Sequence, residues 1–205
     1  MDLILQIWGG LFYLTNKICL ALAEGQAKSR KRSLRIYGWL IYILGVPAWV
    51  VILILKHDWI AASIEAGGVP AMLLGLCNVL KNSQKPNRSV DLIASFFTYA
   101  FIVFGTGYSL YDYRGITSFS QVLEICVMIG FLLGSFLLAK SRTSGWALFM
   151  LMNGSMGTLM IVQNQPILAF QQAVSLCFVV YGFVTAVNHK RHFKKSFGPE
   201  ASRAR

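Results

Sequence analysis

Acidic residues are scarce in this chain: 8 Asp and Glu stand against 19 Lys and Arg, for a net charge of +11. Charge of either sign is also scarce, at 13% of 205 residues, about half the share of an ordinary soluble domain. With 56% hydrophobic residues and a mean hydropathy of +0.57, one or two soluble domains of this length lack the core volume to hide the apolar side chains. The same numbers exclude intrinsic disorder. Histidine is limited to His57, His189 and His192, all outside the apolar runs. The four cysteines (Cys19, Cys77, Cys126, Cys177) lie within apolar runs and form no CxxC or Cys/His spacing. Small buried free thiols are expected, with no disulfide framework and no metal site. There is no Gly-rich phosphate loop, no pair of intramembrane carboxylates and no Ser/His/Asp set able to meet at one depth. The sequence therefore predicts neither an enzyme nor a cofactor.

What the chain does have is long apolar stretches. A helix crosses a bilayer with about 20 largely apolar residues. Seven stretches qualify: Leu3–Ala23, Ile36–Leu55, Trp59–Leu80, Leu92–Tyr111, Phe119–Ala139, Gly145–Val162 and Ile167–Val187. The first starts Met-Asp, without a basic leader region or a small-residue cleavage site, and reads as a retained span rather than a signal peptide.

The basic residues fall in alternate loops. Lys28, Arg30, Lys31, Arg32 and Arg35 follow span one; Lys81, Lys85 and Arg88 follow span three; Lys140 and Arg142 follow span five. Lys190, Arg191, Lys194, Lys195, Arg203 and Arg205 form the tail, so 16 of the 19 cations share one side. Lys56 and Arg114, each near an Asp, are on the other, and Lys17 lies inside span one. The positive-inside rule then predicts a multi-pass protein of the cell inner membrane, N-terminus outside and C-terminus cytoplasmic. The charge becomes a topology signal rather than a mark of nucleic-acid binding.

Shifting the chain by 107 residues aligns Gly38–Lys81 with Gly145–Asn188 without a gap, with 8 identities in 44 positions. Gly38-Trp39 falls on Gly145-Trp146 and Gly75 on Gly182, and the hydropathy and short outer turns coincide as well. The predicted fold is all-α: seven transmembrane helices in two parallel three-helix bundles joined by a linker helix. Residues 1–80 make the first bundle, 81–115 the loop and linker, 116–188 the second bundle and 189–205 the basic tail. Transporters with parallel repeats place their substrate near the midplane between the halves.

Polar residues inside spans are costly and face the bundle interior. Glu65 in span three is the repeat counterpart of Gln172 in span seven, which follows Gln171. Two readings stay open for them: a shared polar cavity, or interhelical hydrogen bonds that only fix packing. Asn153 stands deep in span six where the first repeat has Val46, and Ser175 lies one turn from Gln172. These make Asn153 a candidate substrate contact and Ser175 a candidate extension of the polar strip. Trp49 and Tyr42 are candidate cavity walls for a flat ligand. Trp39 and Trp146 begin their spans and read as interfacial anchors. Snorkelling accounts for Lys17. Pro47 and Pro70 sit mid-span, and each removes a backbone donor and favours a kink.

The 3+1+3 parallel arrangement resembles the SWEET sugar transporters and the PnuC family of vitamin transporters. The closer likeness is in the last two spans. Gly145-Trp146-Ala147-Leu148-Phe149, then Asn153, then Gln163-Asn164-Gln165-Pro166-Ile167-Leu168 is similar to the PnuC C-terminal half. The Pro-Gln dipeptide of SWEETs is missing from both triplets, which favours PnuC. The resemblance implies facilitated uptake of nicotinamide riboside or a related unphosphorylated vitamin, trapped by cytosolic phosphorylation. Glu65, Asn153, Gln171 and Gln172 are the expected polar contacts and Trp49 the stacking wall. The expected partners are a small solute and the bilayer, a homo-oligomer is compatible with both, and nucleic acid is not expected. The alternatives are a SWEET-like carrier of a sugar or other small polar solute, and a non-transporting membrane scaffold or receptor.

Overall fold

A computed structural model describes the backbone of residues 2–81 and 88–196 and the side chains of residues 4–81 and 88–190. Lys85, Arg203 and Arg205 of the basic segments, and the side chains of Arg191, His192, Lys194 and Lys195, lie outside the described residues. The described elements are all α-helices: α1 (Asp2–Glu24), α2 (Lys28–Leu55), α3 (Trp59–Gly67), α4 (Val69–Leu80), α5 (Arg88–Asp112), α6 (Phe119–Ala139), α7 (Ser144–Val162) and α8 (Pro166–Ser196). Counting α3 and α4 together, α2 to α8 supply six stretches long and apolar enough to cross a membrane. The build is that of a multi-pass membrane protein. Its outside is apolar, with Leu92, Phe96, Val103, Ile167 and Phe170 all more than 60% exposed, as lipid-facing positions require. In α1 the apolar run is interrupted by Gln6, Asn16 and Lys17, and it is absent from that set of six.

The helices close into a ring. α1 packs on α2, α2 on α3 and α4, α4 on α6, α6 on α7, α7 on α8, and α8 back on α1. α5 lies outside the ring against α3, α4 and α6. The joins reuse local geometry at positions 107 apart. After α2, His57 takes a left-handed φ of 59°, with His57 N–H donating to Ile54 O and Asp58 N–H to Leu53 O. After α7, Asn164 takes φ 55°, with Asn164 N–H donating to Ile161 O and Gln165 N–H to Met160 O. Both are Schellman closures, which satisfy terminal carbonyls and reverse the chain within a few residues.

The third apolar stretch breaks between α3 and α4 at Gly68. Pro70 has no N–H to offer the carbonyl of Ala66, and the chain answers with short-range bonds, Gly68 N–H to Glu65 O at 3.2 Å and Ala71 N–H to Gly68 O at 3.1 Å. Gly67 and Gly68 admit the rings of Phe101 and Phe131, which a Cβ would strike. The expected kink is thus a discontinuity one turn below Glu65.

One end of the ring is filled by aromatics. Trp39 stacks on Tyr42 (6.2 Å between centroids, 22°), and Trp146 meets Phe149 edge-on at 6.5 Å. Tyr42 in turn packs edge-on against Phe149 and Phe131, and its hydroxyl lies 3.2 Å from Ser135 Oγ. Trp39 and Trp146 are 2% and 1% exposed, which corrects the interfacial assignment. The physical reason is a glycine in each half: a Cβ on Gly75 would strike the Trp39 indole, and one on Gly182 the Trp146 indole. The cysteines also differ from expectation. All are free, but Cys177 is exposed and Cys19, Cys77 and Cys126 are half-buried.

Candidate functional site

Inside the ring lies a cavity of about 510 Å³. It reaches the end of the bundle that carries the turns after α2 and α7, where Asp58, Asp112, Tyr113 and Gln163 line it. Deeper, its wall is Tyr13 and Lys17 of α1, Trp49 of α2, Glu65 of α3 and Gln172 of α8, with Met128 and Phe131 of α6. The aromatic cluster of Tyr42, Trp39, Trp146 and Phe149 takes no part in the lining and seals the other end.

The polar atoms on this wall are what mark it as a site. Buried polar groups in proteins are nearly always paired. Here Tyr13 Oη, Trp49 Nε1, Glu65 Oε1 and Gln172 Oε1 are all buried with no hydrogen-bond partner in the chain. Their residues come from four different helices and line one cavity, whereas Asn16, Thr98 and Thr106 hold a buried atom without a partner away from it. Trp49 is held in place by Gly9, where a Cβ would strike its indole nitrogen, and by a tilted contact with Tyr13 at 6.1 Å.

The sequence-predicted residues divide into two groups. Glu65, Gln172 and Trp49 line the cavity together. Gln171 does not: its Nε2 donates to Gly10 O at 2.9 Å and ties α8 to α1. Asn153 does not line it either. Its Oδ1 accepts from Lys17 Nζ at 2.9 Å and from Ser175 Oγ at 2.7 Å, while its Nδ2 donates to Phe149 O at 2.6 Å. Asn153 is the hub of a buried cluster behind the wall, and Ser175 belongs to that cluster rather than to a strip with Gln172. Tyr42, expected as a wall, is fully buried in the aromatic plug.

Lys17 is the residue that sequence reading misplaced. It is 2% exposed and points inward to Asn153, so snorkelling does not describe it. The signal was present: Gly9, Tyr13 and Lys17 recur at spacings of four and therefore share one helix face. Asn16, fully buried beside it, donates to Gly38 O at 3.0 Å and locks α1 to α2.

The sealed end is tied by charge. Glu24 accepts from Lys31 at 2.8 Å and Arg35 at 2.6 Å. Burial pushes the Glu24 carboxyl up, but Arg35 and Lys31 outweigh it and hold it below the ordinary glutamate value. Arg35 also donates to Ser141 Oγ at 3.0 Å, bridging α2 to the turn between α6 and α7, and Lys140 pairs with Asp91 at 2.8 Å. Among the described residues no group of three or more His, Cys, Asp or Glu side chains comes together to hold a metal. The cavity's donor set suits an organic solute with polar edges.

No protein-family model, no curated protein and no solved structure matches the chain.

Proposed function

We propose that this chain is a seven-span transporter that carries a small vitamin-type solute, nicotinamide riboside or a related compound, by facilitated uptake through a PnuC-like pair of parallel three-helix bundles. The observation that carries the reading is the cavity: four residues that each hold a buried polar atom without a partner line one space that is open at one end and shut by aromatics at the other. An unpaired buried polar group costs about 1–3 kcal/mol, and a solute that pairs with them offsets that cost.

The ring supports the two-bundle reading. The contacts α1–α2, α2–α4 and α4–α6 recur as α6–α7, α7–α8 and α8–α1, which is what a two-fold relation between the triplets α1 to α4 and α6 to α8 requires, with α5 as the linker. In this reading α1 is the seventh span. Its 23 residues extend about 34 Å, and Asn16 and Lys17 turn inward, away from lipid. The Tyr42–Phe149 pair, 107 residues apart, then sits on the axis as the inner gate. The basic loops set the sealed end toward the cytoplasm of an inner-membrane protein, so the cavity faces outward.

A scaffold without transport expects no cavity between the triplets, and the lined space favours a carrier. A ligand-induced thermal shift of the purified protein with nicotinamide riboside, thiamine and riboflavin tests the reading, followed by uptake into proteoliposomes. Saturable uptake of one of the three is expected. No shift and no uptake across the panel removes the vitamin reading, and uptake from a parallel sugar panel replaces it with the SWEET-like one.

A further inference from the structure

The charges on the cavity wall are sorted by depth. Asp58, Asp112 and Glu124 stand toward the open end, with Glu65 further in. Lys17 is the only basic side chain among the described residues that line the cavity. It lies about 10 Å along α1 from the closed end at Glu24. The ion pairs among the described residues involve Glu24 and Asp91, so neither Lys17 nor Glu65 has a counter-charge within reach, and they do not pair with each other.

Packing does not explain Lys17. Its ammonium carries three donors and has one hydrogen bond, to the neutral amide oxygen of Asn153. That oxygen already accepts from Ser175 at 2.7 Å, so Asn153 is satisfied without the lysine. A buried lysine held only by an amide is a net cost to the fold, and the residue lines the deep part of the cavity. The mouth says something complementary. Three carboxylates there attract a cation and repel a simple anion by focusing negative potential in the entrance.

We propose that the solute of this cavity is a zwitterion with an aromatic body: its carboxylate pairs with Lys17 at the floor, and its cationic part lies toward Glu65 and the acidic mouth. Trp49 and Tyr13 flank the ring between the two charges. One lysine balances a monoanionic carboxylate, whereas a phosphate dianion at the same place leaves uncompensated charge. The inference rests on the transporter reading above and narrows its substrate class.

The test uses the purified full-length protein and three matched ribosides: nicotinate riboside (zwitterion), nicotinamide riboside (cation) and 3-carboxyphenyl C-riboside (anion). Affinity is read by ligand-induced thermal shift. The zwitterion is expected to bind at least about tenfold more tightly than either comparator, the scale of one charge-assisted contact. Lys17→Met removes its advantage over the cation, and Glu65→Gln reduces its advantage over the anion. Without ligand, Lys17→Met raises the Tm by a few degrees, because it removes a charge the fold does not use. Equal binding of zwitterion and cation overturns the inference and leaves the transport reading standing. Failure of all three ribosides together with thiamine and riboflavin removes the vitamin reading. A fall in the unliganded Tm of Lys17→Met overturns the inference by itself, since it makes Lys17 a structural contact.

Discussion

Replacing Asn153 by leucine takes one acceptor away from two buried donors. Lys17 Nζ at 2.9 Å and Ser175 Oγ at 2.7 Å both lose the Oδ1 they share, and the leucine offers nothing in return. Lys17, Asn153 and Ser175 are 2%, 1% and 2% exposed, so water does not take over without rearrangement. An orphaned hydroxyl costs about 1–3 kcal/mol and an orphaned cation more. Polar contacts between membrane helices average only about 0.6 kcal/mol each, because the unfolded helices find partners too. A loss of about 3 kcal/mol is the resulting expectation. For a chain of this length each kcal/mol moves the Tm by about 2–4 °C, so the midpoint falls by about 6–12 °C. The assay is thermal unfolding in detergent followed by tryptophan fluorescence, at one scan rate for all variants because membrane proteins unfold irreversibly. A double-mutant cycle sharpens it. In Asn153→Leu/Lys17→Met the ammonium is gone, and at least half of the lost stability returns. An Asn153→Leu protein within about 1 °C of wild type, or a double variant no more stable than the single one, refutes the hub.

Other expectations follow from particular contacts. Gly75→Val and Gly182→Val each drive a side chain into an indole, Trp39 or Trp146, and lower stability by about 2 kcal/mol or more, whereas Gly154→Ala, with open space around its Cβ, shows no such loss in the same assay. Glu24→Gln lowers stability at neutral pH. Because the folded carboxyl sits below its ordinary value, that contribution is fully present above about pH 4.3 and is lost as pH falls through the lowered value, so wild type and variant converge in Tm on acidification. In a cysteine-free background, a thiol at Gln172 reacts with a membrane-impermeant reagent applied from outside, while one at Ser135, fully buried beside the aromatic plug, stays protected. Labelling of both positions alike argues against a sealed inner end.

The helices were legible because apolar runs and turn signals are local. Trp59–Leu80 was readable as one stretch, and Pro70 as its weak point, since a missing N–H acts within one turn. The likeness of Gly38-Trp39 to Gly145-Trp146 was legible, but where the two indoles sit was not. Nothing near Trp39 in sequence shows that Gly75 gives it a seat, so a tryptophan at the start of a span looked like an anchor. The site was half legible for a related reason. Glu65, Gln172 and Trp49 could be singled out as costly or bulky groups in hydrocarbon. Which of the polar residues are already paired depends on partners far along the chain: Asn153 meets Lys17 across 136 residues and Gln171 meets Gly10 across 161.

That pairing separates the polar groups that tie helices together from most of those that line the cavity. Gln121 spends its amide on Ser109 and Gly115, Asn78 on Ala139, Gln171 on Gly10, and Asn153 on three partners. Each of these groups secures one helix, or one turn, to another. Tyr13, Trp49, Glu65 and Gln172, which line the cavity, each keep a buried polar atom idle, and Lys17 keeps two of its donors. In a medium without water to satisfy them, idle groups are a standing cost to stability. Five such residues line one space, and their cost is tolerable if the bound state recovers what the empty state forgoes. Stability and affinity then pull in opposite directions at each of the five. Substituting Glu65 or Lys17 by a neutral or apolar residue of similar size makes the empty protein more robust and the liganded one weaker, whereas substituting Asn153 or Gln171 weakens both.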